Sequence, residues 1–565
     1  MRKRILTVNF YDILHVNHGG GSFCVRGLQS ALSKWFDITL VSYHDEYDIY
    51  SSRIWINKNL CVASIPKPDT LRDTEKRFYR EEGFEKVDIF FDPSLPATRY
   101  YADFVELMDP IYEIAADSDI LITEHPYTYR LLKQAAPGKC IWYRAHNVEY
   151  DYKNKAWQHC ESKEALLNEV YDLEKECCDG CDLILTITEK DAERFHMLYN
   201  VPKSKLLNIS AGIDTSFFVL PSEREKLSMD YEESAFFISS YAEASADAAR
   251  RVSALAIKTP NIMYYIAGSV CGAIKQCDAP GNLCLLGMIS DEQKIKYLIQ
   301  ADFALNLIDS GSGMNIKMLE YFAYGLPTIT TEFGLRGISA KDGTHCITTC
   351  LKNVEDTVKS FCEMGDSARD TVAKNAYELV KSDYSWNACV DRILNHLSES
   401  NKDFYEAVVN STLNDMDKDA DADTLELNLD RSRKYFIFGA GWFGAKCREM
   451  LSSLAITPIG FIDNNSSLWG SMVKKIPIYP PSEYFKASDA NIIIAAGVSF
   501  TVDILCQLVD SGIPLANIFL AFDGVNLYSC GKRIGYNPDY YDVEKLLKFG
   551  RKRRRENGAA ENHGH

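Results

Sequence analysis

The sequence predicts an α/β protein of two consecutive βα domains of similar size followed by a third, smaller one. Three observations lead there. Short apolar runs alternate with longer helical patterns along most of the chain, and several of those runs are near-continuously apolar, as strands covered on both faces must be. Glycine-rich loops stand between such runs and the helices that follow, the place where α/β proteins hold their ligands. At 565 residues the chain also exceeds what one hydrophobic core accommodates.

In the first domain, 1–205, the strand-like runs are "ILTVNF" (5–10), "ITLVSY" (38–43), "VDIFF" (87–91), "DILITE" (119–124), "CIWYRAH" (140–146) and "LILTIT" (183–188). Helical spacing covers 22–35, 161–178 and 189–199, and the charged, aromatic segment 44–85 reads as an irregular insertion. The second domain, 206–400, opens with "LLNIS" and continues through "AFFISS" (235–240), "IMYYIAG" (262–268), "LCLLG" (283–287), "FALNLI" (303–308) and "PTITT" (327–331), with helices at about 245–257, 291–299 and 315–324. Two such domains in succession predict a ligand crevice between them, facing the carboxyl ends of their strands.

Composition changes after residue 400. Residues 401–431, with "STLNDMDKDADADT" at 411–424, read as an acidic linker. Its alternating aspartates imitate a calcium loop, but the central glycine and the terminal glutamate are missing. A third βα unit, 432–545, opens with "KYFIFGAGWFGAKCREMLSSLAITPIGFIDNN". Gly439, Gly441 and Gly444 stand between a strand and a helix with the spacing of a phosphate turn, and Asp463 follows where a ribose-binding carboxylate belongs. The same residues also suit a fold whose crevice is empty or serves protein contact. Residues 546–565 form a polar tail whose one strongly basic stretch is "RKRRR" (551–555).

The formal net charge of −17 argues against a general nucleic-acid binder. The first residues lack the unbroken apolar core of a signal peptide, and nothing approaches 18 uninterrupted apolar residues, so the expected setting is the cytoplasm, with the inner face of the membrane open to peripheral contact through the basic stretch. The 17 cysteines are then expected as free thiols. Cys177, Cys178 and Cys181 have CxxC spacing, but no second pair completes a zinc site, and no metal is expected.

Two glycine loops carry the chemistry. "HGGGSFCVRGLQSAL" (18–32) places Gly19, Gly20 and Gly21 ahead of a helix, where main-chain N–H groups can meet a phosphate, or where a tight turn simply needs glycine. "DSGSGMNIKMLEYFAYG" (309–325) sets Ser312, Gly313, Asn315 and Ile316 at the start of a short helix that carries Lys317 and Glu320 on one face. A nucleoside diphosphate asks for amides and a cation at phosphate and a carboxylate at ribose; a surface ion pair is the plain alternative.

With "HNVE" (146–149), "ISAGIDTSFF" (209–218) and "GSGMNIKMLEYFAYGLPTITTEFGLRG" (311–337), residues 1–400 resemble the retaining glycosyltransferases of the GT-B type, two Rossmann-like domains facing across a cleft, in the large family 4-like group of bacterial sugar transferases. The resemblance implies transfer of a sugar from a UDP- or GDP-sugar to a saccharide, lipid-linked or glycoconjugate acceptor in surface polysaccharide synthesis, with retention and without metal or other cofactor. It implies Gly19–Gly21 against the donor diphosphate and acceptor, His146 beside the transferred sugar, Glu320 on the donor ribose, Lys317 and the amides around Asn315 and Ile316 at the pyrophosphate, and Gly268, Ser269 and Met288 around the nucleoside. His125 in "TEHPY" is a weaker candidate. The appended domain resembles small Rossmann-like modules of bacterial surface-sugar enzymes, some of which bind nucleotide sugars.

Two departures stand out. Ser312 occupies the position of the family's frequent sugar-contacting glutamate, and "SSYAEASADAARR" (239–251) lacks the Lys of the phosphate-facing Arg/Lys pair, its Arg250 and Arg251 coming late in the helix. They keep open a second class, a sugar-nucleotide-binding scaffold or regulator without transfer. An oxidoreductase or epimerase run by the third domain is more distant, because no Tyr/Lys or His/Asp pair announces it.

Overall fold

The computed structural model describes residues 2–11, 13, 20–44, 52–57, 59–81, 101, 103–157, 163–214, 218–219, 231–289, 291–311, 314–422, 429, 432–453, 455–473, 475–484, 490–496, 498–521, 528–529 and 551. The chain forms two compact units, Met1–Ser22 with Leu32–Trp142 and Lys402–His565, and Phe23–Ala31 with Tyr143–Asn401. Among the described residues the strands make three sheets of eight, six and seven strands.

The first sheet contains β1 (Arg4–Asn9), β2 (Asp37–His44), β3 (Ser52–Asn57), β4 (Leu60–Pro66), β5 (Ile120–Thr123), β6 (Cys140–Ala145), β7 (Leu183–Thr186) and β8 (Leu206–Asn208), in the order β3-β4-β2-β1-β5-β6-β7-β8. β1 runs parallel to β2 and β5, and its residues from Ile5 to Val8 are buried, as its apolar run requires. Helices α1 (Gly20–Leu32), α2 (Asp69–Glu81), α3 (Val105–Asp117), α4 (Tyr129–Ala135), α5 (Glu149–Ala156), α6 (Lys163–Gly180) and α7 (Glu189–Tyr199) belong to the same stretch of chain.

Two expectations fail here. The described residues within 44–85 are not irregular: β3 and β4 pair antiparallel, and α2 follows. Lys67, buried, pairs with Glu75 at 3.1 Å while the Tyr101 hydroxyl donates to the same carboxylate. "LLNIS" does not open the second domain either; β8 closes the first sheet beside β7. The predicted strand at 87–91 lies outside the described residues.

The second sheet holds β9 (Glu233–Ile238), β10 (Ile262–Ala267), β11 (Leu283–Gly287), β12 (Phe303–Asn306), β13 (Thr328–Thr331) and β14 (Ile347–Thr349), all parallel, in the order β11-β10-β9-β12-β13-β14. Strand order therefore reverses between β9 and β12. Helices α8 (Glu243–Lys258), α9 (Asp291–Gln300), α10 (Ile316–Ala323), α11 (Val354–Glu363), α12 (Asp366–Asp383) and α13 (Trp386–Ser400) accompany it. Side chains of β9 alternate between the two faces: Phe237 enters the cluster with Ala248 and Val252 of α8, and Phe236 the cluster with Leu319 and Phe322 of α10. Each buried phenylalanine contributes about 1.5–3 kcal/mol.

The acidic stretch expected as a linker carries α14 (Lys402–Ala422), whose Thr412 is buried and donates to the Trp35 carbonyl at 3.2 Å. The third sheet comprises β15 (Tyr435–Phe438), β16 (Gly460–Ile462), β17 (Met472–Val473), β18 (Ile476–Tyr479), β19 (Asn491–Ile494), β20 (Ile518–Leu520) and β21 (Tyr528–Ser529), with α15 (Trp442–Ser453), α16 (Pro481–Tyr484) and α17 (Val498–Asp510). Its order is β17-β18-β16-β15-β19-β20-β21, parallel except at the two edges.

Candidate functional site

The reversal of strand order between β9 and β12 puts two loops next to each other at the carboxyl edge of the second sheet, the position at which open α/β sheets bind ligands. The loop after β9 supplies Ser239 and Tyr241 and leads into α8. The loop after β12 runs through Gly311 and leads into α10, which begins at Ile316 and carries Lys317 in its first turn.

Lys317 joins the two loops. Its Nζ donates to Ser239 Oγ at 2.6 Å and lies 5.8 Å from the centre of the buried Phe237 ring; Ser239 Oγ in turn donates to Ser245 at 2.8 Å. Burial first, and then the positive charge of Arg336, push the ammonium down to about 8, with Glu320 opposing both. An ammonium held partly desolvated beside a second cation is arranged to receive negative charge.

Gly268 and Ser269 complete this edge. The Gly268 N–H donates to the Gly287 carbonyl at 2.7 Å, and a Cβ on Gly268 would stand 2.2 Å from the Ser239 carbonyl oxygen. Ser269 Oγ accepts from the Tyr241 N–H at 2.8 Å. Gly268 and Ser269 thus gather around the loop that carries Ser239. Met288 carries its side chain into solvent, 78% exposed. Asn315 is buried, with its amide donating to the Gly334 carbonyl at 3.2 Å, so it braces the entry to α10 and its side chain is directed at backbone. Glu320 is half-buried and accepts from Lys294 of α9 at 3.0 Å. Ser312 and Gly313 lie outside the described residues, as does Gly19.

The two late arginines of α8 are engaged on their own element and on the neighbouring loop. Arg250 pairs with Glu243 and Asp247. Arg251 reaches further than its position suggests: it donates to the Leu307 carbonyl at 2.9 Å and to Asp309 at 2.7 Å, bracing the segment ahead of Gly311.

His146 follows the last residue of β6 and is half-buried. The turn it belongs to is held by a carboxylate that sequence reading misses. Glu174, fully buried on α6, accepts at Oε1 from the Tyr143 hydroxyl and the Glu149 N–H, both at 2.9 Å, and at Oε2 from the Tyr150 N–H at 3.1 Å and the Tyr199 hydroxyl at 2.6 Å. It therefore caps the start of α5 directly after "HNV". Burial and then the charge of Glu149 raise its carboxyl to about 7, against the donors that favour ionisation. No local pattern marks Glu174 among the many charges of α6; its partners lie 24 to 31 residues away along the chain.

At the other predicted loop, Gly20 opens α1, and a Cβ on Gly21 would stand 2.7 Å from the Tyr11 hydroxyl. His125 sits edge-on to Phe10, ring centres 4.9 Å apart, in an aromatic group with Tyr11 and Tyr127. In the third sheet, a Cβ on Gly444 would stand 1.9 Å from the Gly439 carbonyl, so α15 packs directly on the turn, whereas Gly441 faces open space. Asp463 accepts from the Ala440 N–H and the Asn465 N–H, both at 2.8 Å, which binds it to the glycine turn itself.

Among the described residues no three or more His, Cys, Asp or Glu side chains gather as a metal site, and no helix is long and apolar enough to cross a membrane. The described cysteines are free thiols.

No family model matches the chain, and no curated protein matches it. Solved structures do match in fold. Sucrose-phosphate synthase from Thermosynechococcus elongatus superposes with a TM-score of 0.51 at 12% identity, over 70% of this chain and 99% of that one. The apo structure of OtsA gives 0.51 at 14% identity, over 70% and 99%. The N-terminal domain of Candida albicans trehalose-6-phosphate phosphatase gives 0.50 at 16%, over 71% and 97%. Over about 70% of its length the chain shares the Rossmann-like α/β fold of these structures, the fold class that its sequence predicts.

Proposed function

We propose that this protein is a retaining, metal-independent glycosyltransferase that moves a sugar from a nucleoside diphosphate sugar to a saccharide, lipid-linked or glycoconjugate acceptor. The observation that carries the reading is Lys317: a partly desolvated ammonium, fixed on Ser239 at the switch point of a parallel sheet, beside a second cation. The reaction breaks the bond between the anomeric carbon and the β-phosphate oxygen, and the acceptor oxygen bonds to the same carbon from the same face. The acceptor's proton passes to the departing phosphate. Charge develops on that phosphate, so preset cations and amides there lower the barrier. His146 orients the sugar or the acceptor, and Glu320 holds the donor ribose.

We further place synthesis of a surface polysaccharide or glycoconjugate as its setting, in the cytoplasm or at the inner face of the membrane. Gly439, Gly441, Gly444 and Asp463 form a second nucleotide site in the appended domain. A sugar-nucleotide-binding scaffold is the second reading, favoured by Ser312 and by the Lys294–Glu320 ion pair.

The test is release of UDP or GDP from a panel of UDP- and GDP-sugars by the full chain, with and without EDTA. Slow release that survives EDTA and is lost in His146→Ala and Glu320→Ala supports transfer. Binding without release, in the presence of a panel of saccharide acceptors, supports the scaffold.

A further inference from the structure

The family resembled in sequence meets the donor diphosphate with an Arg/Lys pair from the loop that enters α8, and this chain has no such pair. Arg250 and Arg251 are committed to Glu243, Asp247, Asp309 and the Leu307 carbonyl. A different part of the fold carries a cation to the same edge. The turn after β13 is closed on its own strand end and tied to the entry of α10 at two points. The Gly334 N–H donates to Thr331 Oγ1 at 3.0 Å, Asn315 donates to the Gly334 carbonyl, and a Cβ on Gly337 would stand 3.1 Å from the Met314 side chain. Between these anchors Arg336 lays its guanidinium 4.7 Å over the Phe333 ring and against the loop before α10, where a Cβ on Gly311 would be 3.4 Å from its Nη2.

We propose that Arg336 is the second cation of the diphosphate site, acting beside Lys317. The assignment rests on the nucleoside-diphosphate reading above. A guanidinium stacked on an aromatic ring is preset for two parallel hydrogen bonds to phosphate oxygens, while the ammonium of Lys317 acts as a point charge. The two charges sense one another: Arg336 is the charged neighbour that depresses Lys317, with Glu320 opposing and Ser239 and Phe237 contributing no charge. Keeping two like charges together costs stability until a polyanion enters between them. The loop sequence "GLRG" thus takes over the work of the absent Lys.

The experiment is titration calorimetry of the full chain with UDP and GDP, and with uridine and guanosine, at pH 8, comparing the natural protein with Arg336→Gln and Arg336→Lys. Arg336→Gln is expected to weaken the bound diphosphate about 10- to 100-fold and leave the nucleoside unchanged, with Arg336→Lys in between. The natural protein is expected to take up protons on binding, read from buffers of different ionisation heat, because an anion restores charge to Lys317. Arg336→Gln is expected to reduce that uptake. Unchanged diphosphate affinity in Arg336→Gln overturns the assignment and leaves the broader reading standing. Equal loss for nucleoside and diphosphate overturns it too, since the residue then only shapes the pocket. If neither UDP nor GDP binds the natural protein, the nucleoside-diphosphate reading falls and this inference falls with it.

Discussion

The indole of Trp386 occupies the space that a side chain on Gly27 would need: a Cβ there would stand 2.2 Å from the ring. A Cβ on Gly212 would stand 2.6 Å from the same indole, at its six-membered ring, and the Trp386 N–H donates to the Ile213 carbonyl. The Arg144 guanidinium lies 6.0 Å from the ring centre. The first residue of α13 is therefore clamped between α1 and the segment after β8. Gly27→Ala and Gly212→Ala are each expected to destabilise by about 1–3 kcal/mol, because a ring in close contact with two glycines has little room to move. Chemical denaturation measures this. Combining Gly27→Ala with Trp386→Leu should recover part of the loss, and strict additivity in that cycle would disprove the clamp.

Glu174 gives stability a pH dependence of unusual sign for a carboxylate. Its folded value of about 7 lies above the ordinary 4.5, so between those values the folded state holds the proton more tightly. This group's contribution therefore falls as pH rises from 4.5 to 7, and its full penalty, on the order of 3 kcal/mol, applies above 7. Glu174→Gln removes the ionisation. Urea midpoints at pH 5.5 and 8 should show the natural protein losing more than the variant on going alkaline; parallel losses would refute the prediction.

Much of the second sheet is legible in the amino-acid pattern. Its strands are apolar runs and its helices have clear periodicity, so α9 and α10 fall within a residue or two of their predicted ends. The strand pair and helix within 44–85 are not legible, because the short runs of β3 and β4 stand among many charges and aromatics and their antiparallel pairing is not written in the local pattern. The pattern also puts β8 in the wrong sheet, since a three-residue strand says nothing of its partner. At the site, loop position and resemblance single out Lys317, Gly268 and Ser269. They do not single out Ser239, Glu174 or Arg336, because each matters through a contact made by tertiary folding. Arg336 stands inside the "GLRG" motif, and only its stacking on Phe333 and its approach to Gly311 distinguish it.

Gly268 combines a positive φ of 92° with a Cβ position 2.2 Å from the Ser239 carbonyl. Any side chain is strained in that backbone region and also collides with main chain that cannot swing away. Gly268→Ala is thus expected to push the loop after β9 off β10 and carry Ser239 away from Lys317. Affinity for UDP or GDP should fall at least tenfold with a loss of stability of about 1–3 kcal/mol. Gly272→Ala, where a Cβ meets nothing, is the control and should leave both unchanged. Calorimetry and denaturation on the two variants check the pair of outcomes.

Lys317 is expected to set the upper pH limit of the proposed nucleotide binding. Its ordinary value of 10.5 is lowered to about 8 in the folded protein. The folded state consequently binds fewer protons than the unfolded chain between 8 and 10.5, so this group's contribution to stability rises with pH across that window. Binding runs the other way. Above pH 8 the free protein has lost the ammonium, and a diphosphate must bring the proton back at the expense of affinity, up to about tenfold per pH unit. The dissociation constant for UDP or GDP should therefore rise steadily from pH 7.5 to 9.5. In Lys317→Gln it should start higher and stay flat, whereas the denaturation midpoint of that variant should exceed the natural one more at pH 7 than at pH 10. A flat profile in the natural protein would show that the ammonium does not meet the diphosphate.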